Sequence, residues 1–279
     1  MARDQTGGVG RVFMSLRKYL LIPQLSWYAL RAPRDQALAW QRYWSSIRRT
    51  GVDGEVLWDA DQPAEAAAVA RAFQAHADLS LPMVDLGCGN GRQARALTEL
   101  APHVLGLDAS APAIDRARRE SADLPPGEGN LEFRVADLAE PDLGKRLAAE
   151  LGPVNVHIRG VLHVVDRTRR AVVVQNLENL LGERGTAYVC ESNLTGDPLD
   201  YLLFQGVTPT SMPDVVRRLI AAGVRAPRHF GPAEVAEYFP RSGWHVLVEG
   251  PTVMYGVSLR PDEPVQEIPS FFAVLRMAA

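Results

Sequence analysis

The chain has 279 residues, 47% hydrophobic and 23% charged, enough apolar side chain for one α/β domain with additions or two small domains. A formal net charge of −3 and a pI near 6.1 give no global pull toward nucleic acid. Two cysteines, Cys88 and Cys190, make neither a disulfide framework nor a metal pair, and no apolar run nears the roughly 18 residues of a membrane span. The expectation is a cytoplasmic protein with no metal, no nucleic-acid partner and no membrane partner.

Charge is unevenly spread. The first fifty residues hold nine Arg or Lys against two Asp, a local +7 that leaves −10 on the remainder. That segment reads either as a lid meeting an acidic substrate, a phosphate or a membrane surface, or as the solvated faces of two amphipathic helices, the simpler alternative. Residues 1–10 are glycine-rich. The spacing of Val12, Phe13, Leu16, Tyr19 and Leu20 predicts a helix over 11–22 stopped by Pro23, and Arg11, Arg17 and Lys18 break up any signal-peptide core. Asp35 is placed to cap a second helix through Leu38, Trp40, Tyr43, Trp44 and Ile47. A loop with Gly51, Gly54 and Val56-Leu57-Trp58-Asp59 follows, then an alanine-rich helix over 63–77. Residues 1–60 are therefore expected to form a helical N-terminal cap on a domain spanning 61–279. Four of the five tryptophans fall in the cap: Trp40 and Trp44 have core spacing, while Trp58, in a loop, is read as a substrate contact.

The run Met83-Val84-Asp85-Leu86 ends in three glycines at alternate positions, Gly87, Gly89 and Gly91, before a helical pattern. Strand, tight turn and helix let backbone N–H groups approach a ligand. A dinucleotide fingerprint wants its third small residue three positions after the second, where Arg92 stands, and a pyrophosphate would repel Asp85. At Val84-Asp85-Leu86-Gly87-Cys88-Gly89-Asn90-Gly91 the chain resembles the class I S-adenosylmethionine-dependent methyltransferases. Val104 to Ser110 is a second strand ending in Asp108, and Phe133 to Leu138 a third with Asp137. Asp108 falls where one helix and one strand would return it beside the glycine turn, able to accept both ribose hydroxyl hydrogens.

The resemblance implies a doubly wound, Rossmann-like seven-stranded sheet of order 3-2-1-4-5-7-6 with the last strand antiparallel. It implies S-adenosylmethionine as cofactor, S-adenosylhomocysteine as product, and a cofactor site of Asp85, Gly87, Cys88, Gly89, Gly91, Asp108, Ala109, Asp137, Leu138 and Arg159. Asp85 is expected to anchor the methionine end through its amino group or nearby backbone. Arg159 could hold a carboxylate or pair with a neighbouring acid. After a helix over 140–150, a fourth strand (Val154 to Arg159), a helix over 166–181 with Asp166 as its cap, and a fifth strand (Thr186 to Glu191) complete the parallel set. His163, just beyond the fourth strand, is the best base, because neutral imidazole takes a proton near pH 7. His157, inside that strand, reads as a core residue.

Residues 192–231, broken by prolines, read as a substrate-pocket insertion with helices near 199–204 and 215–222; Tyr201 and His229 are its candidate substrate contacts. A helix over 232–239 leads to short closing strands at Trp244–Val248 and Phe271–Arg276. The aromatic cap points to a small-molecule acceptor methylated on oxygen, nitrogen or sulfur, and a homodimer is compatible with the chain. Two alternatives share the same binding residues: a cofactor-binding protein without transfer, and a non-methyl reaction such as cyclisation.

Overall fold

A computed structural model of the protein describes residues 18–51, 54–60, 62–122, 130–227, 229–260 and 263–278. The glycine-rich start and most of the helix expected over 11–22 lie outside them. A single 3₁₀ turn, Lys18–Leu21, runs into α1 (Ile22–Ala29). Pro23 does not stop this helix; it stands in its first turn, where its missing N–H has no intrahelical partner to lose. Asp35 caps α2 (Gln36–Ser46), accepting from Ala37 N at 2.8 Å and Leu38 N at 3.2 Å.

The remaining elements are α3 (Pro63–His76), β1 (Met83–Leu86), α4 (Arg92–Leu97), β2 (His103–Asp108), α5 (Ala111–Glu120), β3 (Asn130–Val135), α6 (Leu143–Leu151), β4 (Asn155–Arg159), α7 (Arg170–Leu181), β5 (Ala187–Ser192), α8 (Pro198–Phe204), α9 (Asp214–Ala222), α10 (Pro232–Tyr238), β6 (Trp244–Arg260) and β7 (Glu263–Met277). One sheet runs β3-β2-β1-β4-β5-β7-β6, parallel from β3 to β5 and antiparallel at β7 and β6.

Alternation along each strand builds two cores. Val84 and Leu86, with Val156 and Ile158, face α6, α7 and α10; Met83 and Val104 face α3, α4 and α5. The cap packs on top, with Tyr43, Trp44 and Ile47 of α2 against Ala113 of α5 and Ala222 of α9.

Two further expectations change. Helix α7 begins only at Arg170, so Asp166 does not cap it and instead pairs with Arg225. The closing strands are far longer than expected. β5 pairs β7 only up to Ser270, yet β6 and β7 continue as a two-stranded arm through Val257↔Val265. Pro251 and Pro269 hid the arm from sequence, because proline disfavours a ladder. β6 is an edge strand, and beyond Ser270 the described pairing of β7 is with β6 alone, positions where a missing donor is tolerated. The arm bends over the cap loop, and Val257 N donates to Leu57 O at 2.7 Å.

Candidate active site

The carboxyl ends of the parallel strands, the cap and the arm enclose a cavity of about 320 Å³. Gly87 and Gly89 form its floor. Gly89 has φ +54°, and a Cβ there would meet the Trp44 ring at 2.9 Å, so both conformation and space require glycine. Gly91 turns away into the core, against the Phe133 ring and Ala117. Cys88 is also buried beneath the turn; burial foremost, then Asp108 and Asp85, push its thiol well above the ordinary range. It is a packing residue of the turn and touches no part of the cavity wall.

Asp108 lines the cavity and is locked in place, Oδ2 accepting from Gly89 N at 3.0 Å and Oδ1 from Ser110 N at 2.8 Å. Burial raises its carboxyl to about 6, with the Asp85 charge adding and the two backbone donors opposing. Ala109, Asp137 and Leu138 line the wall beside it. Asp137 accepts from Ala139 N at 3.0 Å and from Arg169 at 2.6 Å.

Asp85 does not reach the wall. Its Oδ1 faces His157 Nδ1 at 2.8 Å, and the His157 ring stacks on Tyr188. Its Oδ2 is buried without a hydrogen-bond partner, close enough to Cys88 and Asp108 for its charge to act on both. An unsatisfied carboxylate oxygen there fits a cationic group docked above, acting through the turn rather than by the direct contact expected from sequence.

Arg159 lines the cavity, but its guanidinium is already engaged: it pairs bidentately with buried Glu65 and donates to Trp58 O at 3.1 Å and Tyr255 O at 3.2 Å. Of the two roles open to it, the structure shows the ion pair. That pair ties α3, the cap loop and the arm to β4.

His163 lines the cavity from the 3₁₀ turn Leu162–Val164. Its Nδ1 is hydrogen-bonded to the fully buried Glu191 of β5, a short contact. Glu191 also accepts from Val161 N at 2.9 Å and Leu162 N at 2.8 Å. A carboxylate held by those donors acts as acceptor, so the ring proton is assigned to Nδ1 and Nε2 carries the lone pair.

Trp58 lines the cavity beside Trp40, ring centroids 5.5 Å apart, and Trp44 lines it too. The two tryptophans with core spacing thus serve packing and wall together. The 192–231 segment contributes Tyr201, Leu202 and Gln205 from α8 and its end, and Val216, Leu219 and Ile220 from α9. Burial pushes the Tyr201 phenol up. His229 does not line the cavity; it lies half exposed near Glu234 at 3.7 Å, and its expected substrate role has no geometric support. Glu191 as orienting group, Glu65, and Met254 and Ile268 of the arm escaped sequence reasoning, although an acid ending the fifth strand was a usable signal for Glu191. Among the described residues no group of His, Cys, Asp and Glu is placed to hold a metal.

Comparison with known proteins agrees with this geometry. Residues 83–185 match the family described as a methyltransferase domain. A SAM-dependent methyltransferase of Anabaena variabilis is similar over 89% of this chain and 97% of its own, with 27% identity and a TM-score of 0.72. Magnesium protoporphyrin IX methyltransferase of Synechocystis, with bound SAH, shares the fold at 17% identity, covering 77% of this chain and 83% of its own with a TM-score of 0.51. A 23S rRNA uracil C5-methyltransferase of Methylococcus capsulatus is 45% identical over 60 residues, 22% of this chain and only 13% of that enzyme.

Proposed function

We propose that this chain, a class I S-adenosylmethionine-dependent methyltransferase by its fold and its domain over residues 83–185, methylates oxygen, nitrogen or sulfur on a small, largely apolar molecule. The observation that carries this is the convergence of the Gly87–Gly89 turn, Asp108, Asp137 and the Glu191–His163 pair on one apolar cavity. The residues fit the cofactor. Asp108 would take the ribose hydroxyl hydrogens, and Asp137 with the Leu138 backbone would meet the adenine edge. The unsatisfied Asp85 Oδ2 supplies negative potential toward the amino end.

When bound, the cofactor supplies an electrophilic methyl on a sulfonium, so the protein's work is alignment and removal of a proton from the acceptor. Trp40, Trp58 and the α9 face exclude water and orient an apolar acceptor. His163 Nε2 receives the acceptor's proton, and Glu191 steadies the ring as it becomes cationic. Glu191 is a positioning residue; His163 is the catalytic base.

The test is incubation with methyl-labelled S-adenosylmethionine and a host extract, separated into small and macromolecular fractions. Label in a small metabolite is the expected result. Label in RNA or protein overturns the acceptor class. No label, with S-adenosylhomocysteine binding intact, turns the reading toward a binding or cyclising protein.

A further inference from the structure

The basic cap carries a surface that the proposed reaction does not use. Six of the eight large apolar residues exposed among the described residues fall within twenty positions: Tyr19, Leu20, Ile22, Trp27, Leu30 and Leu38. Trp27 is 51% and Leu30 86% exposed. In α1, Leu21, Leu25 and Tyr28 share one arc at 3.6 residues per turn, and Leu21 and Leu25 pack inward on the α8–α9 region. Ile22, Trp27 and Leu30 occupy the opposite arc. A helix apolar on both faces calls for cover on both, and the described residues cover one.

The exposed charge that this segment itself contributes is mainly of one sign, and the neighbouring acids Asp197 and Asp200 are paired with Lys18. Residues 18–51 expose Arg31, Arg34, Arg42, Arg48 and Arg49 against a single acid, Asp35, whose carboxylate caps α2. The Arg31 guanidinium lies 4.1 Å from the Trp27 ring centroid. Arg34 and Arg42 have no ion pair with any described residue.

We propose that the outer face of the cap docks the protein on an anionic bilayer interface, Trp27, Leu30 and Ile22 entering the headgroup boundary and the arginines meeting lipid phosphates. An apolar, arginine-bordered face with a tryptophan suits that boundary. A second copy of the chain fits less well, because a two-fold contact would set these arginines against themselves. Nucleic acid has no use for Ile22 and Leu30. No described helix is long and apolar enough to cross a membrane, so the contact is peripheral. The lack of a membrane-length apolar run, which underlay the expectation of no membrane partner, does not bear on a peripheral contact, and residues 18–50 hold six Lys or Arg against one Asp, a local +5. The inner face of the same segment lines the cavity through Leu25, Ala37 and Trp40, which, if the proposed methyl transfer holds, puts the cavity roof against the source of an apolar acceptor.

The experiment is co-sedimentation of the full chain with phosphatidylcholine vesicles with and without phosphatidylglycerol, at low and high salt. The expected result is partition onto the anionic vesicles only, weakened by salt, and lowered about fivefold for each arginine neutralised in Arg34→Gln and Arg42→Gln. Trp27→Ser with Leu30→Glu should abolish it. None of the four touches the cavity, so S-adenosylhomocysteine affinity and thermal midpoint, measured on the same samples, should stay unchanged. Equal sedimentation with and without the anionic lipid, or variants that sediment like the parent, overturns the proposal. So does a dimer that the same variants dissociate in the absence of vesicles. Vesicle binding without S-adenosylhomocysteine binding would leave docking standing and remove the cofactor reading instead.

Discussion

At Asp108, burial and ligand recognition oppose one another. The folded protein holds this carboxyl at about 6, above the ordinary value of 3.8, so it keeps a proton the unfolded chain releases. The group's contribution to stability therefore declines as pH rises from about 4 to 6 and is level above that. Cofactor binding has the opposite sense, since only the ionised carboxylate accepts both ribose hydroxyls. The affinity for S-adenosylhomocysteine should fall below pH 6, about tenfold by pH 5, following the ionised fraction. Calorimetric titration across that range checks it, and a flat profile would refute the assignment. Asp108→Ala should weaken the same binding about a hundredfold at neutral pH. His163→Ala should lower turnover by about 10²–10⁴ with cofactor affinity unchanged. Glu191→Gln should lower turnover by a smaller factor than His163→Ala, again with cofactor affinity unchanged, because the amide can keep the hydrogen bond to Nδ1 but no longer supports the imidazolium that forms as the proton is taken.

At the scale of elements, the glycine turn and the long arm do different work. Gly89→Ala combines a left-handed φ with a clash on Trp44, so it should destabilise by about 1–3 kcal/mol and impair cofactor binding. The arm meets the cap loop where Val257 N donates to Leu57 O and Leu259 packs in the same cluster as Leu57, and a Cβ at Gly256 would lie 2.5 Å from Leu57 O. Gly256→Val should lift Met254 and Ile268 from the wall and raise KM for the acceptor, while S-adenosylhomocysteine affinity holds. Parallel loss of both would show that the arm shapes the whole site. The strands, the α3 helix and the Asp35 cap were all legible from periodicity and end signals. The arm was not, because Pro251 and Pro269 interrupt a strand pattern and only the topology shows that they stand where a missing donor is tolerated.

Across the whole molecule, the cap is fastened to the glycine turn rather than resting on it. Asp59 pairs with Arg92 at the start of α4, accepts from Asn90 Nδ2 at 2.9 Å and from Gly51 N at 2.7 Å. Arg116 and Arg218 hold the end of α2 through Ile47 O and Ser46 O. A ligand on the turn should therefore stabilise cap and sheet domain together. Saturation with S-adenosylhomocysteine at a hundred times its Kd should add about 2.7 kcal/mol to a single unfolding transition. Two transitions, with only one responding, would show the cap to be independent.

The sheet order was what the family resemblance implied, whereas local chemistry was enough for the sequence to determine where the parallel strands run, the glycine turn and the acids at the strand ends. Each of these depends on a short pattern: alternation along a strand, a turn that only glycine permits, and an acid where a strand stops. Tertiary structure decided the rest. Asp85 faces His157, Arg159 is engaged by Glu65, His229 lies half exposed, and Glu191 orients His163 from a strand 28 positions further on. Those outcomes depend on which partner reaches a side chain first across the folded molecule. Spacing along the chain carries no record of that competition.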